Sequence, residues 1–163
     1  MKTTKLKIAY YVILASILVS MSLGATEPEK TAPAEGTWTI VNYWSEWCAP
    51  CRKEIPMFNK LNQQLAASNV TIVGVNFDED SRDETLKIAK KMGVDFPTLT
   101  MEEVKLLNLK APTVLPTTYI LSPENEVVAK LLGEQSAEDM LKQLALLNLP
   151  VKTNQVSTKQ TGN

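Results

Sequence analysis

The order of apolar runs in this 163-residue chain predicts an α/β domain, a mixed central β-sheet flanked by helices. Three observations carry that prediction. Short β-branched and aromatic runs alternate with segments whose apolar residues recur every three to four positions, in the order β-α-β-α-(short α)-β-β-α. The last two strands are separated only by a turn, and a final helix follows them. Hydrophobic residues make up 44% and charged residues 21%, the balance of an ordinary globular domain that can fold without covalent staples.

The first segment is read as an address. Lys2, Lys5 and Lys7 precede an uncharged run from Ile8 to Gly24, and small residues stand at Gly24 and Ala25. A basic start, an apolar body and small residues at its end mark residues 1–25 as a secretory signal peptide. At about 17 residues the run also reaches the lower limit of a membrane span, so an uncleaved membrane anchor is the alternative. No cysteine follows it to carry a lipid. Lysines before the run and Glu27 and Glu29 after it place the rest of the chain outside the cytoplasm, periplasmic or on the outer face of the membrane, where disulfides persist. Residues 26–36, with Pro28, Pro33 and Gly36, are expected to be a linker.

The domain is expected to span residues 37–149. Thr37–Trp44 is a buried strand by its β-branched and aromatic content. It runs into Ser45–Cys51 and then a helix whose Ile55, Phe58, Leu61 and Leu65 form one stripe, with Pro56 expected to kink it. Val70–Phe77 is a near-continuous apolar run and is assigned a central place in the sheet. Ser81 and Glu84 suit a capping box for a helix ending at Met92, with Gly93 as its C-terminal cap. Phe96–Leu99 suggests a short strand and Glu102–Leu109 a short helix. Thr117–Leu121 and Glu126–Leu132 are strands joined by Ser122–Asn125, and Ser136–Asn148 is a helix with Met140, Leu141, Leu144 and Leu147 facing the core. Residues 150–163 are polar and aperiodic, the pattern of a disordered tail.

Chemistry concentrates at Trp47-Cys48-Ala49-Pro50-Cys51, where a strand gives way to a helix. A cysteine just ahead of a helix faces unpaired backbone N–H groups and the positive end of the helix dipole, which stabilise a thiolate. A second cysteine three residues on can close a disulfide with the first. Three readings are open for the pair. As a redox couple, Cys48 attacks a disulfide and Cys51 resolves the mixed intermediate. As half of a zinc site, the pair would have to recruit carboxylates, because the chain has no histidine and no third cysteine. As a structural staple, so short a loop restrains the unfolded chain little. The strand before and the helix after favour the redox reading.

The absence of histidine excludes Ser-His-Asp and Cys-His catalysis. A formal net charge of −1, with three of the lysines in the N-terminal segment, offers no basic surface for a nucleic-acid partner. No cofactor and no metal are expected, and Phe77-Asp78-Glu79-Asp80 is taken as a solvated loop.

WSEWCAPC, Pro56 five residues after Cys51, and Leu115-Pro116-Thr117-Thr118 ahead of a strand resemble the thioredoxin superfamily. VNYWSEWCAPCRKEIPMFNKL and LPTTYIL are similar to the exported TlpA/ResA-like branch, and the βα element around Val70–Met92 is similar to its insertion. The resemblance covers about Thr37 to Leu147. It departs from the branch where Thr26–Gly36 is too short for the usual N-terminal hairpin and where Ser122-Pro123-Glu124-Asn125 replaces an Asp-Gly type turn.

The resemblance implies a thiol–disulfide oxidoreductase that reduces disulfides of exported proteins, apocytochrome c among them, with electrons from a membrane thiol reductase. It implies that the Leu115–Pro116 bond is cis and that Leu115 and Pro116, with Trp47, Ala49 and Pro50, meet the substrate chain. It implies that Glu54 is an active-site acid able to take the proton of Cys51; a solvated helix charge is the competing reading. Asn42 stands where cytoplasmic thioredoxins carry a buried acid, and an amide cannot titrate. The neutral Ala49-Pro50 pair favours a reductant over an oxidant. An isomerase or oxidant, or a redox-inert binding module on the same fold, are the alternatives.

Overall fold

The computed structural model describes residue 33 and residues 36–149. The signal or anchor, the C-terminal tail and nearly all of the linker assigned above lie outside the described residues. Among the described residues no helix is long and apolar enough to cross a membrane.

Strands β1 (Trp38–Trp44), β2 (Val70–Asn76), β3 (Thr117–Leu121) and β4 (Val127–Leu132) form one sheet in the order β2-β1-β3-β4. β1 pairs with β2 in parallel, and β3 pairs antiparallel with both β1 and β4, so the sheet is mixed as expected. Helices α1 (Ala49–Leu65), α2 (Arg82–Met92), α3 (Met101–Leu106) and α4 (Ala137–Leu146) complete the predicted order.

The period-two alternation of β1 divides the core. Ile40 faces the cluster made by Phe58, Leu61 and Leu65 of α1 with Met140 and Leu144 of α4. Val41 and Tyr43 face Val73, Val75, Leu99, Val104 and Tyr119 on the other side. Trp44, on the same face as Ile40, packs in a third cluster with Cys48, Cys51, Ile88 and Ala89. Helix α1 continues through Pro56.

One placement is corrected. β2 is an edge strand, not a central one. Its apolar run reports burial of both faces, and the outer edge is covered without a true strand: Gly74 N–H donates to Pro97 O at 2.7 Å and Leu99 N–H to Gly74 O at 2.8 Å. Phe96–Leu99 accordingly makes a single parallel bridge, Gly74 to Thr98, rather than a strand. The capping box expected at Ser81 is half formed, because Ser81 caps Glu84 N–H while the Glu84 carboxylate pairs with Lys87. Complete boxes occur instead at Thr100/Glu103 and Ser136/Asp139.

Candidate active site

The first turn of α1 and the end of β1 build the site. Cys48 is the N-cap of α1, in extended conformation, and Pro50 lies in the first turn, where its missing N–H costs nothing. Cys48 and Cys51 form a disulfide across 5.3 Å between their Cα atoms. Cys51 N–H donates to Cys48 Sγ at 3.3 Å, so the sulfur occupies the place of a capping oxygen. Both cysteines are buried, against Trp44, Ile88 and Ala89, with Leu115 at the margin. The turn that delivers Cys48 is closed by its N–H donating to Ser45 O at 3.2 Å and is held from α1 by Arg52, whose guanidinium donates to Glu46 O. Glu46 pairs with Lys91 of α2.

The Leu115–Pro116 bond is cis. It leads into β3, whose Thr117 and Thr118 are buried beside β1. Gly133 N–H donates to Pro116 O at 2.9 Å, which ties the proline to the loop after β4.

Glu54 is buried, 1% exposed, which rules out the solvated-charge reading. One carboxylate oxygen accepts from Asn42 Nδ2 at 2.7 Å and the other from Gln135 N–H at 2.9 Å. Asn42 Nδ2 also reaches Thr118 Oγ1 at 3.1 Å, while its own carbonyl oxygen is buried without a partner among the described residues. Burial pushes the Glu54 carboxyl up to about 7, against the opposing pull of the Gln135 and Asn42 donors, and nearby Glu134 adds to the rise. The amide at position 42 and the acid at 54 therefore form one unit, with the strand supplying the donor and the helix the acid.

Trp47 is 66% exposed, yet held. Its indole N–H donates to Asp78 at 2.9 Å and its ring meets Phe77 edge-on. The loop expected to be merely solvated thus touches the site. A sequence signal exists for Glu54: it lies three residues after Cys51 and four before Phe58, on the stripe that faces the sheet. None exists for Asp78, whose contact depends on the parallel register of β1 and β2.

The profile of the AhpC/TSA family matches residues 22–130. The thiol-disulfide oxidoreductase ResA of Bacillus subtilis is 31% identical over 120 residues, 74% of this chain and 66% of that one. ResA of Bacillus cereus is 28% identical over 106 residues, 65% of this chain and 61% of that one. The matches therefore span a little under two thirds of the length of these curated relatives. Among solved structures, StoA from Bacillus subtilis superposes with a TM-score of 0.57 at 26% identity, covering 69% of this chain and 85% of that one. A secreted thiol-disulfide isomerase from Corynebacterium glutamicum gives 0.54 at 29% identity, covering 66% and 68%. The fold is thioredoxin-like.

Proposed function

The chain belongs to the AhpC/TSA family, and from that premise we propose that it is a thiol–disulfide oxidoreductase that reduces disulfides of exported proteins. The observation that carries the reading is the Cys48–Cys51 disulfide at the N-terminus of α1. In the reduced protein the Cys48 thiolate attacks one sulfur of a substrate disulfide and releases the other as a thiolate. Cys51, deprotonated, then attacks Cys48 Sγ, forms the intramolecular disulfide and frees the second substrate sulfur. Two electrons pass to the substrate, and a dithiol donor restores the pair; a membrane thiol reductase is the donor proposed. Glu54, one helical turn from Cys51, takes its proton during resolution. Work outside the cytoplasm, by a cleaved or anchored form, and apocytochrome c as one substrate are part of this proposal. Support comes from the N-terminal charge pattern and from the relatives named as ResA and StoA.

Stopped-flow mixing of the reduced protein with a peptide disulfide tests the reading. Two phases are expected, formation and resolution of the mixed disulfide; no reaction contradicts it. The resolving rate should rise with pH through about 7, because Glu54 accepts a proton only when ionised. Glu54→Gln should lose that rise and slow resolution at pH 8 by roughly ten-fold or more, with little change in the first phase. An unchanged resolving profile would remove Glu54 from the mechanism.

A further inference from the structure

We infer that Gln135 is a positioning residue for the resolving step: its side chain folds back on its own loop and so keeps its backbone N–H on the Glu54 carboxylate. This rests on the reading of Glu54 as the proton acceptor given above. The loop between β4 and α4 is fixed at both ends. Gly133, at φ 82°, turns the chain and donates its N–H to Pro116 O at 2.9 Å, while Ser136 caps α4 in a box with Asp139. Between these ends the Gln135 N–H donates to Glu54 Oε2 at 2.9 Å. That N–H stands ahead of the N-cap, so the helix makes no use of it. The side chain supplies the lock. Gln135 is half-buried, and the amide protons on its Nε2 serve two carbonyls, Gly133 O at 2.9 Å and Leu132 O at 3.4 Å. The turn is thereby closed on itself, which opposes the peptide rotation that would swing the 135 N–H away from the acid.

The other groups facing the carboxylate differ in kind. β1 and β3 present the uncharged Asn42 and Thr118, the first donating to Oε1 and the second bound to that same amide. Helix α1 brings Cys51, one turn back, and Lys53, which pairs with Glu134 at 3.8 Å on the surface. Asp139 of α4 is engaged by Ser136. Burial raises the Glu54 carboxyl most; the Gln135 N–H and then the Asn42 amide pull it down, and Glu134 adds to the rise. Adjacent positions of one loop, 134 and 135, thus act on the acid in opposite directions.

Those opposite signs separate positioning from a general loosening of the loop. The resolving phase of the reduced protein with a peptide disulfide is followed by stopped flow as a function of pH. Gln135→Met keeps the length and apolar stem of the side chain and removes its donors. It should raise the pH midpoint from about 7 by roughly half a unit to one unit, the loss of one net hydrogen bond to the ionised acid. Glu134→Gln at low ionic strength should lower the midpoint by roughly a few tenths of a unit, and added salt should erase that difference. In the wild type the backbone amide proton of Gln135 should titrate with the same midpoint, and in Gln135→Met the amide at that position should lose most of its titration shift. A midpoint unmoved in Gln135→Met, or moved in one direction by both variants, or a Gln135 amide that ignores the titration, would overturn the positioning role while leaving Glu54 as the acceptor. A wild-type resolving rate with no rise through about 7 would overturn the reading of Glu54, and the positioning role with it.

Discussion

Cys48→Ser is expected to abolish disulfide exchange, while Cys51→Ser still attacks and then stalls as a mixed disulfide. The asymmetry follows from position. Cys48 caps α1 and receives the Cys51 N–H on its sulfur, so a thiolate there is stabilised by a backbone donor and by the helix dipole. Cys51 lies inside the first turn and is fully buried, away from the end of the helix where the free N–H groups point. Serine at 48 keeps the cap but supplies an alcohol that does not attack disulfides at neutral pH. The fold should therefore survive while activity falls to background, readable as insulin reduction beside an unchanged circular dichroism spectrum. Alkylation of the reduced wild type below neutral pH should label Cys48 first. Preferential labelling of Cys51, or a trapped adduct in Cys48→Ser and none in Cys51→Ser, would reverse the assignment.

Gly74→Ala is expected to carry the largest cost to stability, about 3 kcal/mol, the upper part of the range for overpacking a filled core. A Cβ at 74 would stand 2.6 Å from Trp44 Nε1 and 3.0 Å from Phe96 Cε2. Both rings are buried and neither is a flexible end that can swing aside. Gly74 cannot retreat, because its N–H and C=O are bonded to Pro97 and Leu99 on one side while the strand pairs with β1 on the other. Since Trp44 packs with Cys48 and Cys51, the strain reaches the redox pair. Urea unfolding should show the loss. Trp44→Phe made in the same chain should recover part of it, because phenylalanine has no atom at the place of Nε1 and that N–H has no hydrogen-bond partner among the described residues to lose. Additive costs for the two changes would show that the contact is not the cause.

Most of the fold is legible in the residues because the strands are apolar runs of the right length and the helices carry a single stripe each. Thr117–Leu121 and the turn closed by Asn125, at φ 63°, need nothing from tertiary structure. The position of β2 does need it: an apolar run states that both faces are covered, and is silent about neighbours in the sheet. The complete capping boxes are spelled out as Thr100 with Glu103 and Ser136 with Asp139, and Ser81 with Glu84 looks the same; which pair closes depends on what else competes for the acid, here Lys87.

At the site, the two cysteines are readable from their spacing together with the strand before and the helix after them. Glu54 is visible as an acid on an apolar stripe, but its two donors come from β1 and from the loop before α4, separated from it by 12 and 81 positions. Asn42 reads as an amide that cannot titrate; its contact makes it the donor that holds the group that does. Asp78 is hidden among neighbouring acids, and only the parallel pairing of β1 with β2 brings it against Trp47 and Ser45.

The central claim is that Cys48 and Cys51 cycle as a reducing dithiol, and its most direct measure is the reduction potential. The protein is equilibrated in graded dithiothreitol or glutathione buffers, quenched by acid, and its free thiols counted by mass after alkylation. The neutral Ala49-Pro50 pair adds no charge to stabilise a Cys48 thiolate further, so the reduced form gains no special advantage. One two-electron transition is predicted, at or below about −200 mV, nearer the value of thioredoxin than that of a strong oxidant. A potential above about −150 mV, or two cysteines that never exchange with the buffer, would contradict the account.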